Sequence, residues 1–223
     1  MAESRASEDV LWVRPHERGI LPLDKFHVPK RLARVVRSNK FQITADAAFE
    51  DVIRACAESR PDRRETWIND AIIDAFVSLH ERGFAHSIET WHQGKLVGGL
   101  YGLSLGGAFF AESKFSRATD ASKVALVHVA ARLKAGGYTL LDAQFPNPHL
   151  EQFGAATVTE ERFQFMLSQA LSRTGNFYGL GPPGTAAGAV GAPVAGGGVA
   201  ISADVVAAAG AGSSVLHVIT HTS

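Results

Sequence analysis

The chain has 223 residues, enough for one large domain or two small ones, and its 46% hydrophobic content is that of a globular protein. Twenty-two basic residues balance 22 acidic ones, which excludes a generic polyanion binder: any nucleic-acid contact must come from a local patch. The single cysteine, Cys56, excludes an intramolecular disulfide and a cysteine-based metal site, and it suits a reducing compartment.

The opening MAESRASEDV carries no apolar run, so no signal peptide is predicted. Residues 1–24 read as irregular, punctuated by Trp12, Pro15, Gly19 and Pro22, with short strand pieces around Leu11, Val13, Ile20, Leu21 and Leu23. From Lys25 to Lys40 there are six basic residues (Lys25, Lys30, Arg31, Arg34, Arg37, Lys40) and no acid. Pro29 suits the first turn of a helix, with Leu32, Val35 and Val36 on one face. The basic run reads either as a solvated helix face or as a phosphate-binding surface.

Asp46 is placed to cap a second helix, whose apolar positions Phe49, Val52, Ile53 and Cys56 fall at helical spacing. That position makes Cys56 a buried, inert thiol. Pro61, within RPDRRE, marks a boundary. A third helix is predicted over Asn69 to His80, with Ile72, Ile73, Phe76 and Leu79 inward and Gly83 as its stop. Trp67, just before it, reads as packing or as a ligand contact.

The period then changes to two. Phe84 to Trp91, Leu96 to Leu105 and Ala108 to Glu112 predict three antiparallel strands, turned by Gly94 and by Gly106-Gly107. Ala111 to Arg117 reads as an acidic turn. Asp120 is placed to cap a helix apolar on two sides, one stripe being Val124, Val127 and Ala131 and the other Leu126, Val129 and Leu133. Arg132 and Lys134 complement its C-terminal dipole, and Gly136-Gly137 end it. A strand over Tyr138 to Phe145 and a helix over Glu160 to Ser172 follow. The fold class is α+β. From Gly175 the chain turns low-complexity in Gly, Ala and Pro, a composition that reads as mostly disordered and too poor in large apolar residues to span a membrane.

Asp142 and Gln144 stand two apart on a strand and so share a face, with Glu112 ending a neighbouring strand. They read either as a small polar site or as buried groups satisfied by backbone. No Ser-His or Cys-His pair, HExxH, P-loop or GxGxxG accompanies them. His86, His128 and His149 fit no metal-ligand spacing.

Several segments nevertheless stand in a recognisable order. They are Thr66-Trp67-Ile68, His86 to Trp91, Leu96 to Gly102, Glu112-Ser113 with Phe115-Ser116-Arg117, Ala121-Ser122-Lys123, and Leu141 to Gln144 leading to His149. In this order the chain resembles the leucyl/phenylalanyl-tRNA–protein transferases from about Leu11 to Phe165.

The resemblance implies a GCN5-related acyltransferase-like domain over residues 61–174. It is preceded by a small N-terminal α+β module at 1–60 and followed by a low-complexity tail at 175–223. It implies a cytoplasmic enzyme that moves leucine, phenylalanine or methionine from aminoacyl-tRNA to proteins beginning with Arg or Lys, marking them for degradation. The aminoacyl ester is already activated, so no cofactor is called for, and no membrane partner is expected. The resemblance assigns catalysis to Asp142, Gln144 and Glu112, and adenosine contact to Trp67. It assigns the aminoacyl side-chain pocket to Leu100, Phe109, Leu126, Val129 and Leu133, and tRNA phosphate contact to Lys30, Arg31, Arg34, Arg37 and Lys40.

Three departures accompany it. Lys114 stands where methionine is usual, Phe76 stands where tyrosine is usual, and the family's Gly-Ile-Phe-Pro segment has no counterpart, so part of the adenosine wall is expected to be missing. A non-catalytic binding relative and a coenzyme A-dependent N-acyltransferase are the alternatives. The second calls for a glycine-containing pyrophosphate loop, and Ser116 to Ser122 has no glycine.

Overall fold

The computed structural model describes Val13, residues 15–59 and residues 66–181. The strand piece at Leu11, the punctuating Trp12, the boundary at Pro61 and the tail beyond residue 181 lie outside the described residues.

The architecture is mixed α and β: one seven-stranded sheet and six helices. The strands are β1 (Glu17–Ile20), β2 (Gln42–Ala45), β3 (Ala85–His92), β4 (Lys95–Leu105), β5 (Ala108–Ser116), β6 (Leu140–Gln144) and β7 (Ala156–Thr159). Their order is β2-β3-β4-β5-β6-β1-β7. The helices are α1 (Lys30–Arg37), α2 (Phe49–Ala57), α3 (Asp70–Glu81), α4 (Ala121–Ala135), α5 (Pro148–Glu151) and α6 (Glu160–Leu171). No described helix is long and apolar enough to cross a membrane.

The three-stranded antiparallel unit expected from the alternating stretch is present as β3-β4-β5. Residues 111–116 are not a turn, however: β5 runs on to Ser116, paired with Gly98 of β4. The two early strands join the same sheet, β2 pairing with β3 and β1 with β6 and β7.

Helix α4 is buried on nearly all sides, as two apolar stripes require. It lies close to the sheet because Gly98 has no side chain; a Cβ there would sit 2.6 Å from the Cβ of Ala121. Leu100, Phe109, Leu141 and the α4 residues form one core on this side. A second core gathers α2 and α3 around Tyr101 and Phe115, and a third joins α6 to Ile20, Ala108 and Leu140.

Three local expectations are corrected. Asp46 does not cap α2; the N-cap is Ala48, and Asp46 sits at φ 56°. Its carboxylate instead accepts from the Ser87 amide and pairs with His86 at 2.7 Å and with the Tyr178 hydroxyl at 2.6 Å. Asp120 occupies the N-cap of α4 but makes no side-chain cap bond; its carboxylate faces Arg31 and Lys123. Arg132 stands in the last turn of α4, as expected, and is buried there. It is 2% exposed and donates to the carbonyls of Phe177 and Gly181. Residues 175–181, read as the start of the tail, are therefore packed down. Phe177 lies 3% exposed, its ring stacked between His86 and Phe109.

The β2–β3 pairing carries a buried polar lock. Thr44 and Ser87 donate their hydroxyls to the fully buried Glu89 carboxylate, and the Trp91 indole donates to Thr44 at 2.8 Å. Glu89→Ala would leave both hydroxyls without their acceptor. We expect it to lower unfolding free energy by roughly 2–5 kcal/mol, read from urea denaturation.

Candidate active site

The site forms where two neighbouring strands part. β5 and β6 run parallel, but their pairing extends only from Ala108 opposite Leu140 to Phe110 opposite Asp142. Beyond that point both strands continue, β5 to Ser116 and β6 to Gln144. At the same level a bulge interrupts the β4–β5 ladder. Tyr101 faces Ser113 and Gly102 faces Ala111, so Glu112 is the extra residue between them. Bulges re-aim side chains, and this one turns Glu112 toward β6. The Gln144 amide Nε2 donates to Glu112 Oε2 at 2.9 Å, bridging the parted strands.

Gln144 ends β6 at φ 64°, a left-handed conformation. Its backbone N–H donates to Asp142 Oδ1 at 2.8 Å, which repays part of that strain. Asp142 thus holds Gln144 through the main chain, not side chain to side chain. The Asp142 carboxylate is fully buried and is gripped by Arg18 of β1: Nε donates to Oδ1 at 3.0 Å and Nη2 to Oδ2 at 2.6 Å. Arg18 also lies over the Phe163 ring of α6, 4.6 Å from its centroid. A fork meeting a carboxylate in two places fixes orientation as well as charge.

β1 reaches this position because Gly19 stands opposite Gln144. A Cβ on Gly19 would come within 2.6 Å of the Phe145 carbonyl oxygen.

Burial raises the Glu112 pKa. The Gln144 hydrogen bond opposes this, the Asp142 charge adds to it, and Arg18 opposes it. A carboxyl with a raised folded-state pKa favours the fold while protonated, and that contribution is lost as pH rises through the raised value. Glu112→Gln should therefore melt higher than wild type at neutral pH. The difference should shrink as pH falls through the carboxylate range, as seen in thermal melts across pH.

Trp67 is half-buried against the α2–α3 core that contains Tyr101. Leu100, Phe109, Leu126, Val129 and Leu133 are together, all in the core beneath α4 and none more than 4% exposed. Phe177 stacks on Phe109, with ring centroids 5.5 Å apart. Lys30, Arg31, Arg34, Arg37 and Lys40 are all exposed, on or just beyond α1. Arg31 shares its charge with Asp120 at 3.2 Å. Lys114 is exposed at its surface, yet the desolvation of its stem side lowers its pKa, so a charge in place of methionine is not free of cost.

The histidines do not converge on the site. His86 lies against Asp46, and His128 is buried mid-α4, where desolvation and Arg132 push its pKa down to about 3. His149 follows the Asn147 that caps α5.

Arg18 is the residue that sequence reasoning missed. It stands alone in an irregular stretch, and its partner is 124 residues away. No local spacing links them.

The described fold falls almost wholly within one family match. The family described as "Leucyl/phenylalanyl-tRNA protein transferase" matches residues 20–168. Over 177 residues the chain is 58% identical to the leucyl/phenylalanyl-tRNA--protein transferase of Paramagnetospirillum magneticum, covering 79% of this chain and 85% of that one. Over 191 residues it is 54% identical to the protein of that name from Caulobacter vibrioides, covering 86% of each. The chain belongs to the leucyl/phenylalanyl-tRNA protein transferase family. The family match begins at Ile20, so Arg18 and Gly19 lie just outside it, although the structure puts Arg18 directly on Asp142.

Proposed function

We propose that this transferase moves leucine or phenylalanine, and tolerates methionine, from aminoacyl-tRNA to the N-terminal Arg or Lys of an acceptor protein, marking it for degradation. The observation that carries the reading is the parting of β5 and β6, bridged by Glu112 and Gln144 and anchored by Asp142 on Arg18. We read the surrounding sheet and helices as an acyltransferase-like domain.

The hydrogen-bond inventory sets the direction of the Gln144 amide. An ionised Glu112 only accepts, so Gln144 must turn its NH2 toward it. The amide oxygen then faces the other way and is available to accept from an incoming amine. The free α-amine has a reference pKa of roughly 8, so a sizeable fraction is neutral near neutral pH.

In the proposed reaction the amine nitrogen attacks the ester carbonyl carbon. A C–N bond forms and the C–O bond to the tRNA ribose breaks. The proton lost from nitrogen ends on the ribose oxygen. The ester is already activated, so the protein's work is positioning and electrostatic support.

The leucyl side chain is proposed to sit against Leu100, Phe109, Leu126, Val129 and Leu133. These residues are contiguous beneath the sheet, beside Leu141, the neighbour of Asp142. Entry requires them to part, since they are closed in this structure. Such a pocket separates apolar side chains by only ~1–3 kcal/mol per methylene, so phenylalanine and methionine are expected to be accepted. Trp67 is proposed to meet the terminal adenosine.

The exposed α1 cations are proposed to meet tRNA phosphates. Changing Arg34 and Arg37 together to glutamine should weaken tRNA binding and reduce the slope of log affinity against log salt by about 2, read by filter binding across a salt series.

The deciding experiment is transfer of radiolabelled leucine from leucyl-tRNA to a protein beginning with arginine. Transfer to that protein, and not to the same protein beginning with glycine, is expected. Tight binding of the tRNA without transfer would instead favour a non-catalytic binding protein.

A further inference from the structure

Tyr101 carries a hydroxyl that the fold does not use. The residue is fully buried on β4, yet among the described residues its oxygen has no hydrogen-bond partner. Phe49 and Phe76 pack edge-on against its ring, at centroid distances of 5.9 and 5.1 Å, so the phenol is held firmly in place. A buried polar group left unpaired costs stability, and phenylalanine would fill the same space without that cost. The hydroxyl therefore calls for a functional explanation.

Its location supplies one. Tyr101 lies at the edge of the β4–β5 bulge that carries Glu112. The two side chains are close enough to influence each other: the Glu112 charge helps to raise the Tyr101 pKa, behind the larger effect of burial and alongside Cys56. The phenol is thus a permanent donor beside a carboxylate whose amide partner is Gln144.

We propose that Tyr101 is a positioning residue for Glu112: in the working complex its unspent hydroxyl donates to the Glu112 carboxylate beside the Gln144 amide, so that Glu112 stays ionised and holds Gln144 with its oxygen toward the incoming amine. The inference rests on the transferase reading, in which Gln144 meets the amine. It explains how a buried carboxylate whose side-chain donor is the Gln144 amide stays charged while the bridge across the parted strands is closed. It also explains why a tyrosine persists among apolar neighbours.

The groups facing Glu112 are Gln144 and Asp142 from β6, Arg18 from β1 and Tyr101 from β4, with Cys56 of α2 beyond the phenol. In the working complex a Tyr101 donor favours the charged form of Glu112 and lowers its pKa. Removing the donor raises that pKa. Activity that needs ionised Glu112 then appears at higher pH.

The test is Tyr101→Phe, assayed for leucine transfer over a pH series and for thermal stability. A melting temperature equal to or above wild type is expected, with transfer reduced about tenfold and the acid limb of the pH profile moved upward. Tyr101→Phe should add nothing further in a Glu112→Gln background. A variant with wild-type rate and profile, or one whose loss persists in full on top of Glu112→Gln, overturns the proposal. A wild type with no leucine transfer overturns the transferase reading and this inference with it; a normal wild type beside an unaffected variant overturns this inference alone.

Discussion

Replacing Asp142 by alanine is expected to lower leucine transfer by about 10²–10³-fold while the protein stays folded. Three functions disappear with the carboxylate. The Gln144 N–H loses its acceptor, so nothing holds that residue at φ 64°. The Arg18 fork loses both of its contacts. The bridge to Glu112 loses its fixed end.

The cost in stability is smaller than burial alone suggests, because Arg18 is 18% exposed and water can take it up. Loss of the buried acceptor should cost roughly 1–3 kcal/mol. The measurement is single-turnover transfer alongside a denaturation curve. Wild-type rates in the folded variant would show that Asp142 does not organise the chemistry.

Arg18→Ala is expected to do the greater structural damage, because the burial of this pair is unequal. Asp142 is fully buried, and removing the arginine strands its charge where no water reaches it. Breaking such a pair from that side costs roughly 3–5 kcal/mol, which for a protein of this size lowers the melting temperature by about 10 °C. The loss of the guanidinium from the Phe163 ring adds to it. Transfer should also fall, since Asp142 would lose the two-pronged contact that fixes its carboxylate. Arg18→Lys should recover part of the stability and little of the activity, because an ammonium supplies charge without the two-pronged geometry. A melting temperature unchanged in Arg18→Ala would contradict the pairing.

The helices were the most legible part of the fold. In α3, Asn69 caps the first turn and Ile72 and Ile73 turn inward, as their spacing requires. The all-round burial of α4 followed from its two stripes. Short strands were less legible. β2 and β7 each have four residues, too few to show a period, and β1 makes sense only beside β6 and β7. Glu112, Ser113 and Lys114 look like turn residues, yet β5 runs through them, because the bulge accommodates the glutamate inside a strand.

The candidate site divides in the same way. Glu112, Asp142 and Gln144 were recognisable from the motifs around them, and periodicity placed Asp142 and Gln144 on a strand. What the amino-acid order determined by itself was therefore local: which segments are helical, which face of each is apolar, and which family the ordered motifs resemble. Only the tertiary structure decided that Arg18 grips Asp142, that the Asp142 carboxylate holds Gln144 by its backbone, and that Gln144 reaches Glu112 across parted strands. The reason is separation along the chain. Helix and strand signals arise between residues a few positions apart, whereas Arg18 and Asp142 are 124 positions apart and meet only because β1 is drawn in beside β6. Charge pairing at that range leaves no local pattern; it is a consequence of the order in which the strands assemble.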